Sequence, residues 1–369
     1  MRSLINLPFE LNLRRRLAFT LVEVLVSMTV LLILLLISAQ VIGTVQSTWS
    51  SSNARIGQFR EARTAFDIIT RNLSQATLNT YIDYDHNYLK DGQSTGVASN
   101  KEQKYLRKSD LRFVCGPTAN LLTQSGGPAN SPGQAVFFQA PLGVAHDPAY
   151  VGLDRLLCGR GYFVQYVSDA FFRPTILPAG LPRYRYRLME FSPPAEQNMI
   201  YSADKNDWFE KAGAHEVEEE NVENRDLTRP VADNIIALII SPQIESDPVT
   251  QREPTSIAPD FEYDSQEVGS AAGLVTGGGI AAQGTQHLLP PLVRVVLVAI
   301  DEKSADRLSQ TDSSGTPPFG TTISDLINNS QAANLNATLE QVAEELRSRR
   351  INYRIFSTTV VLRGAKWSI

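Results

Sequence analysis

The sequence contains few of the residues from which catalytic and metal sites are most often built. It has two cysteines and four histidines among 369 residues, too few thiols for a four-thiolate zinc site or a dense disulfide framework. No histidine has another histidine four residues away, and no Walker loop is present. We therefore expect that the chain is not an enzyme and that it holds no cofactor.

An excess of positive charge is also lacking. The 34 Lys and Arg residues are outnumbered by 39 Asp and Glu residues, which gives a formal net charge of −5. A chain of this balance offers no broad phosphate-neutralising surface, so we expect no nucleic-acid partner. With 43% apolar and 20% charged residues, the composition is that of a folded globular protein.

The feature that stands out is a long apolar run close to the N-terminus. Arg14, Arg15 and Arg16 precede the run, and between residues 19 and 45 the only ionisable side chain is Glu23. As a helix, residues 19–45 would be about 40 Å long, enough to cross a hydrocarbon core of about 30 Å. The arginines predict that the N-terminus stays in the cytoplasm and that the chain after the run lies outside it.

Glu23 does not fit the two simplest explanations of this run. A secretory signal peptide has a shorter apolar core that ends at a small-residue cleavage site. A plain membrane anchor has no need of a charged side chain, which costs about 2.5–3.5 kcal/mol at the centre of a spanning helix on insertion scales. We therefore expect Glu23 to be functional.

The segment Ala18-Phe19-Thr20-Leu21-Val22-Glu23 resembles the cleavage signal of type IV pilins and type II secretion pseudopilins. In that family a prepilin peptidase cuts on the cytoplasmic side of the apolar run and methylates the new N-terminal residue. The resemblance implies cleavage between Ala18 and Phe19, methylation of Phe19, and Glu23 as the fifth residue of the mature chain. One difference is that Ala18 stands where the family usually has glycine.

The resemblance also implies a role for Glu23 in assembly. Subunits of the family pack their N-terminal helices in a filament core, where the glutamate of one subunit lies near the N-terminal amine of a neighbour. Such a pair would compensate a buried charge and set the register between subunits. The implied partners are the prepilin peptidase, other pilins or pseudopilins, the inner membrane and a secretion substrate.

The apolar pattern divides the chain into four parts. Residues 1–18 form a basic cytoplasmic leader that is cleaved, and residues 19–45 form the transmembrane helix. Residues 46–80 continue this helix with one apolar stripe, and the helix is expected to kink or fray at Gly43 and at Ser50–Ser52. Residues 81–369 form a domain that the orientation places outside the cytoplasm and that the resemblance places in the bacterial periplasm, with long loops near 91–104, 246–289 and 309–320.

Strand patterns dominate after residue 80. The fold class is therefore α+β, with a long N-terminal transmembrane and amphipathic helix packed on an antiparallel sheet in a pilin-like arrangement. The spacing of apolar residues from Leu335 to Leu346 predicts a second amphipathic helix. The expected strands are Leu111–Cys115, Gln134–Gln139, Tyr162–Val167, Arg183–Phe191, Ile235–Ser241, Val293–Ile300 and Tyr353–Leu362.

Several of these strands carry further information. Arg183–Phe191 alternates arginine with tyrosine or leucine, so we expect its arginines to form a solvated face. The runs Ala232–Ser241, Val293–Ile300 and Tyr353–Trp367 resemble, in order and character, those of the larger minor pseudopilins of the J-like class. A weaker resemblance is to the prepilin-like proteins of a verrucomicrobial gene cassette, the protein C type.

Two further candidate sites lie in the domain. Asp83–Asn87 has the first alternating oxygen ligands of a calcium loop, but Tyr88 and Ser94 stand where glycine and a bidentate glutamate belong, so a polar turn is the simpler interpretation. Cys115 and Cys158 lie outside the cytoplasm in this orientation, where a disulfide between them is allowed. Free buried thiols are the alternative.

Two functions fit these observations. In the first, the chain is a minor pseudopilin that is cleaved, methylated and assembled through its N-terminal helix into a type IV pilus-like or type II secretion filament. In the second, it is an uncleaved membrane anchor for an extracytoplasmic binding module. The two functions differ at Glu23, because an anchor tolerates leucine there and an assembly subunit does not.

Overall fold

The computed structural model places two compact units in the chain, residues 1–54 and residues 55–369. All strands and all helices but the first lie in the second unit. The residues that the structure describes are 20–84, 105–122, 131–145, 147–150, 152–153, 155–172, 176, 183–202, 209, 212, 227–244, 255–267, 283–310 and 315–365.

The longest element is helix α1, Leu21–Leu73, with 53 residues. It passes through Gly43 without a break, so the kink expected there is not found in this helix. Gly43 has no heavy atom within 4 Å of the position of a Cβ, and one glycine destabilises a helix by only about 1 kcal/mol. The helix ends at Leu73 rather than near residue 80, although Ala76 and Leu78 beyond its end are still buried.

The C-terminal part of α1 packs on the domain through the expected apolar stripe. Its buried residues recur at spacings of three and four, which places them on one helix face, and the Phe66 ring lies 5.9 Å from that of Phe356. This part of the helix is therefore held by the core of the second unit. The buried residues are Ala62, Ala65, Phe66, Ile69 and Leu73.

Twelve antiparallel strands are found among the described residues, and they include all seven strands that the sequence predicts, with shifted ends. The α+β fold class is thereby confirmed. The strands are β1 Tyr81–Tyr84, β2 Tyr105–Lys108, β3 Val114–Pro117, β4 Gln134–Pro141, β5 Leu157–Ser168, β6 Tyr184–Phe191, β7 Thr228–Asp233, β8 Ile235–Ile244, β9 Thr255–Ser256, β10 Tyr263–Asp264, β11 Leu292–Ile300 and β12 Tyr353–Val361.

The strands form two larger sheets instead of the single sheet that was expected. A six-stranded sheet has the order β10-β3-β4-β5-β6-β7, a four-stranded sheet has the order β12-β11-β8-β9, and β1 pairs with β2. The chain changes sheets between β7 and β8 at Asn234, where φ is 62°, a left-handed conformation that asparagine tolerates better than most residues. Strands β9 and β10 lie within 246–289, a stretch expected to be a loop.

The two larger sheets meet where β8 crosses β4. The backbone N–H of Ile240 donates a hydrogen bond of 2.6 Å to Gln134 Oε1. Gly133 has φ +84°, and a Cβ there would lie 2.8 Å from the Leu238 carbonyl oxygen. Only glycine permits this close approach without strain.

Four further helices complete the described part of the domain: α2 Thr118–Leu121, α3 Glu302–Gln310, α4 Thr322–Asn328 and α5 Leu335–Ser348. Helix α5 confirms the second amphipathic helix. Helices α3 and α4 were not predicted, and α3 includes the beginning of the stretch 309–320 that was expected to be a loop. The expected loop at 91–104 lies outside the described residues.

Candidate functional site

The N-terminal part of α1 is an apolar helix that the described part of the chain leaves uncovered. The span Leu21–Ser50 contains an 18-residue window with a mean hydropathy of 2.7, and none of that window is buried. Leu21 is 81% exposed, Leu36 61% and Val45 60%. The segment is long and apolar enough to cross a membrane, and its surface requires either lipid or other helices to cover it.

Six hydroxyl groups of this segment are satisfied within the helix. Each donates to a backbone carbonyl three or four residues earlier, which removes an unpaired donor from an apolar environment. The bonds run from Ser27 to Val24 (2.8 Å), Thr29 to Val26 (2.8 Å), Ser38 to Leu34 (2.8 Å), Thr44 to Gln40 (2.9 Å), Ser47 to Thr44 (2.9 Å) and Thr48 to Thr44 (2.8 Å).

Glu23 is the one ionisable residue of this segment. It lies in the first turn, and its backbone N–H donates to Thr20 Oγ1 at 3.3 Å and to the Thr20 carbonyl at 3.1 Å. A carboxylate in the first turn is favoured by the helix dipole, but that term is only about 0.3–1 kcal/mol at an exposed site. Among the described residues, no cation is paired with the Glu23 carboxylate. Ala18 and Phe19 lie outside the described residues, so their cleavage and methylation stay predictions.

The arginines of β6 are buried, so the expectation of a solvated face was wrong. Arg185 has 5% of its side chain exposed; its Nη2 pairs with Asp306 at 2.6 Å and also with Glu302. Arg187 has 9% exposed and pairs with Asp233 at 3.0 Å. The reason is helix α3, which places two carboxylates one turn apart against the arginine side of the strand.

Two glutamates of this cluster have pKa values that shift in opposite directions. The hydrogen bond from Arg185 lowers the pKa of Glu302, against the opposing effect of its burial. Burial raises the pKa of Glu61 on α1, and the negative charges of Asp233 and Glu302 add to this. The backbone N–H of Asp233 donates to Glu61 Oε1 at 3.2 Å. The cluster therefore links α1 to the sheet and is best explained as structural.

A second polar group links α1 to the six-stranded sheet. Asn72 Nδ2 donates to the Tyr162 hydroxyl oxygen at 2.7 Å, and that hydroxyl donates to Glu190 Oε1 at 2.6 Å. Arg160 lies 3.4 Å from the same carboxylate. Burial raises the pKa of Tyr162 well above its usual value, and the Glu190 charge adds to this. The tyrosine is therefore a neutral hydrogen-bond donor rather than a proton-transfer group near neutral pH.

Cys115 and Cys158 are free, buried thiols in the structure, so the disulfide is not formed. They lie on β3 and β5 with β4 between them, opposite Val136 and Ala140 respectively. At ~4.8 Å between strands and ~3.4 Å per residue, their Cα atoms are roughly 16 Å apart, whereas a disulfide needs less than about 7 Å. A bridge would require the sheet to come apart.

Two clefts are lined by described residues of the domain. One, of about 350 Å³, lies beside β3 and β10, where Asp260, Glu262 and Glu267 line it and Asp264 is paired with Arg112. The other, of about 750 Å³, lies between α4 and α5 and has mainly hydroxyl and amide groups on its walls. Cys115 also lines the first cleft, and burial raises the pKa of its thiol.

The described residues contain no group of three or more His, Cys, Asp and Glu side chains placed to hold a metal ion. Of the calcium-loop candidate, only Asp83 and Tyr84 are described, and the Asp83 carboxylate pairs with Lys108 Nζ at 2.7 Å. His287 lies in a turn, and burial lowers its pKa. The other three histidines lie outside the described residues.

Comparison with known proteins identifies the N-terminal segment. Residues 13–39 match the family model described as the prokaryotic N-terminal methylation motif. The match contains Ala18, Phe19 and Glu23 and covers less than a tenth of the chain. No curated protein and no solved structure matches the chain significantly. The chain therefore carries a prepilin-type signal, which implies processing by a prepilin peptidase, and a helix suited to membrane anchoring.

Proposed function

We propose that this chain is a minor pseudopilin, a structural and non-enzymatic subunit of a type IV pilus-like or type II secretion filament. The prepilin peptidase cuts between Ala18 and Phe19 and methylates Phe19. The mature chain first sits in the inner membrane with its domain in the periplasm, and then assembles with other pilins or pseudopilins through residues 19–45.

The proposal rests on which polar groups of the apolar helix have hydrogen-bond or ion-pair partners. Its hydroxyls at Ser27, Thr29 and Ser38 are satisfied by their own helix, whereas the Glu23 carboxylate has no cation among the described residues. A membrane anchor gains nothing from an unpaired carboxylate. A filament gains an intersubunit ion pair with the amine that cleavage exposes on a neighbour, which also fixes the axial register.

The domain supports a minor rather than a bulk role. The second unit, residues 55–369, has long interstrand segments and two clefts, which suit a subunit that occurs at few positions, such as the tip. The order and character of β8, β11 and β12 agree with the resemblance to the J-like class. Contacts with a secretion substrate would be made through this domain.

The experiment that tests the proposal compares Glu23 variants with a matched control in the same helix. Full-length chains with Glu23→Leu, Glu23→Gln and Ser27→Ala are expressed with the prepilin peptidase and the other subunits. Ser27 lies one turn beyond Glu23 on the same face, and its hydroxyl bonds only to Val24. Intact mass reports processing, and recovery in the sedimented filament fraction reports incorporation.

We expect all three variants to insert into the membrane and to lose residues 1–18. Ser27→Ala should be incorporated like the wild type. Both Glu23 variants should be incorporated at least about tenfold less, because an uncompensated amine is then buried in the filament core. Wild-type incorporation of Glu23→Leu would contradict the proposal and favour the membrane-anchored binding module.

A further inference from the structure

The edge strands of the two larger sheets differ in how they are protected against pairing with a further strand. At one edge of each sheet, β9 and β10 are only two residues long. Strand β7 contains Pro230, and its register with β6 shifts between Leu188 and Met189. Short length, proline and bulges are the devices by which proteins block sheet edges. Strand β12 has nine residues, no proline, and an unshifted register with β11.

The backbone groups on the free side of β12 follow from two hydrogen bonds at the ends of its ladder. Leu362 N–H donates to the Pro291 carbonyl at 3.0 Å, and Asp301 N–H donates to the Asn352 carbonyl at 3.1 Å. Bonded and non-bonded pairs alternate in an antiparallel ladder. The register therefore turns the N–H and C=O groups of alternate residues away from β11, namely those of Tyr353, Ile355, Ser357, Thr359 and Val361.

These outward groups are open to a partner. Among the hydrogen bonds of the described residues, none reaches them, and β12 pairs with β11 alone. Ser357, Thr358 and Thr359 are exposed, and Val361 is 62% exposed. Such a row of unpaired groups is a template for an additional strand.

The first part of β12, residues 353–356, is in contact with a helix on each face, whereas Ser357, Thr358 and Thr359 are exposed. On one face Phe356 packs against Phe66 of α1, and the Arg354 guanidinium lies 6.0 Å from the centre of the Phe59 ring. On the other face the Arg347 guanidinium of α5 lies 6.0 Å from the centre of the Tyr353 ring. Along residues 353–356 an occupant therefore reaches β12 in the plane of the sheet, as an extended backbone does.

The charges near the strand indicate the chemistry of that occupant. Strand β12 has no acidic residue, and exposed Arg354 and Arg363 lie near its two ends. An opposing strand gains from opposite charge and from β-branched side chains at facing positions. The best-fitting partner segment has a β-branched or hydroxyl-bearing centre and an acidic residue near one end.

We propose that β12 is a docking edge on which an extended segment of a different protein chain pairs as the fifth strand of the four-stranded sheet.

A second copy of β12 does not fit as the partner strand. Symmetric antiparallel pairing centred on Ser357 needs a two-fold axis perpendicular to the sheet, and this axis would run residues 59–73 of the two copies in opposite directions. Subunits that enter one membrane with their N-termini on the same side exclude that arrangement, and in this step the inference rests on the proposed function.

The first test measures amide hydrogen exchange residue by residue in the full-length chain. One sample is the assembled fraction from native membranes, and the other is the same chain dissociated into monomers in detergent. We expect the amides of Arg354, Phe356, Thr358 and Val360 to be protected in both samples. The five outward amides should exchange rapidly in the monomer and at least about tenfold more slowly in the assembly. Equal exchange of the outward amides in both samples would overturn the proposal.

A pair of variants at one position completes the test. Thr359→Pro removes an outward N–H that bonds to nothing within the described chain, and an edge strand tolerates proline at such a position. Thr359→Ala keeps the N–H. We expect Thr359→Pro to lower recovery of the partner with the chain by about tenfold and Thr359→Ala to leave it unchanged.

The outcomes separate the docking edge from the proposed function. Both variants should still begin at Phe19 and depend on Glu23 for incorporation, whereas loss of processing in the wild type would count against the proposed function alone. Cross-linking of two differently tagged copies through residue 359 would overturn the choice of occupant. Equal partner recovery with both variants, at wild-type folding stability, would overturn the docking edge.

Discussion

Glu23 and Arg185 are both charged residues in apolar stretches of sequence, but among the described residues only Arg185 has partners of opposite charge. Arg185 has two carboxylates on α3 and the Asn234 side-chain oxygen, 3.3 Å from its Nη1. The Arg185 side chain is buried, but the Glu302 and Asp306 side chains are 41% and 39% exposed, so solvent screening makes the loss of one carboxylate less costly than in a fully buried pair. Among the described residues, Glu23 has no comparable partner.

The Arg185 cluster should affect how the free energy of unfolding changes at acidic pH. The pKa of Glu302 is lowered from 4.5 by its bond with Arg185, so its stabilising effect is present above pH 4.5 and is lost as pH falls through the lowered pKa. Glu302→Gln should therefore be less stable than the wild type at pH 7, with a difference that shrinks below pH 4.5. Urea unfolding midpoints of the full-length chain in micelles between pH 3 and 7 measure this.

Glu61→Gln is the matched control, because the pKa of Glu61 is raised. Its ionised form is penalised in the folded state above the raised pKa, and this penalty disappears as pH falls through 4.5. The glutamine oxygen can still accept from Asp233 N–H. The variant should exceed the wild type in stability at pH 7 and converge with it in acid. Parallel pH trends for the two variants would show that the cluster does not act through these carboxylates.

The burial of Arg185 and Arg187 could not be predicted from β6 alone. Strict alternation shows which side chains share a face, but it does not show what covers that face. The covering helix α3 is short and polar, with the sequence EKSADRLSQ, and the sequence analysis gave it no secondary structure. Glu23, by contrast, was predicted to be functional because the cost of a charge in an apolar helix depends on local sequence only.

At the scale of elements, the six-stranded sheet depends on one close contact between strands. Gly161 of β5 lies directly beneath the Phe137 ring of β4, where a Cβ would overlap two ring carbons. The Phe137 ring is stacked on Phe209 at 5.0 Å and contacts Phe191 at 6.2 Å. The Phe137 ring therefore has little room to move away from a Cβ at position 161.

We expect Gly161→Ala to destabilise the domain by about 1–3 kcal/mol, the usual cost of overpacking a core. Gly116→Ala on β3 is the control in the same sheet, because the nearest atom to its Cβ would be Glu262 Cγ at 3.4 Å, an ordinary contact. Thermal unfolding followed by circular dichroism measures both. A loss in Gly116→Ala equal to that in Gly161→Ala would indicate a general intolerance of the sheet rather than the Phe137 contact.

Element predictions succeeded where periodicity is strong. Strands β8 and β11 are continuous apolar runs, and α5 has a clear 3.6-residue repeat, so their type follows from the sequence. Strands β9 and β10, with two residues each, carry no period at all. Their positions are set by tertiary contacts, such as the pairing of Tyr263 with Cys115.

At the scale of the whole molecule, the sequence predicted a long apolar N-terminal helix and an α+β fold class, because the unbroken apolar run near the N-terminus gives way to strand patterns after residue 80. It did not predict that the strands form two sheets. The change from one sheet to the other occurs at Asn234, where a single residue in the left-handed conformation redirects the chain from β7 to β8. The apolar pattern of the flanking strands does not predict this change of direction. The open edge of β12 follows from the same sheet order and was equally invisible in the sequence.

The central claim is that the chain is processed as a prepilin before it assembles, and the mass of its N-terminus tests this most directly. The full-length chain is extracted from membranes that contain either active prepilin peptidase or a catalytically inactive variant, and its intact mass and N-terminal peptide are measured. We predict a chain that begins at N-methylated Phe19 with the active peptidase and retains residues 1–18 with the inactive one. A chain that retains residues 1–18 in the presence of the active peptidase would contradict the account.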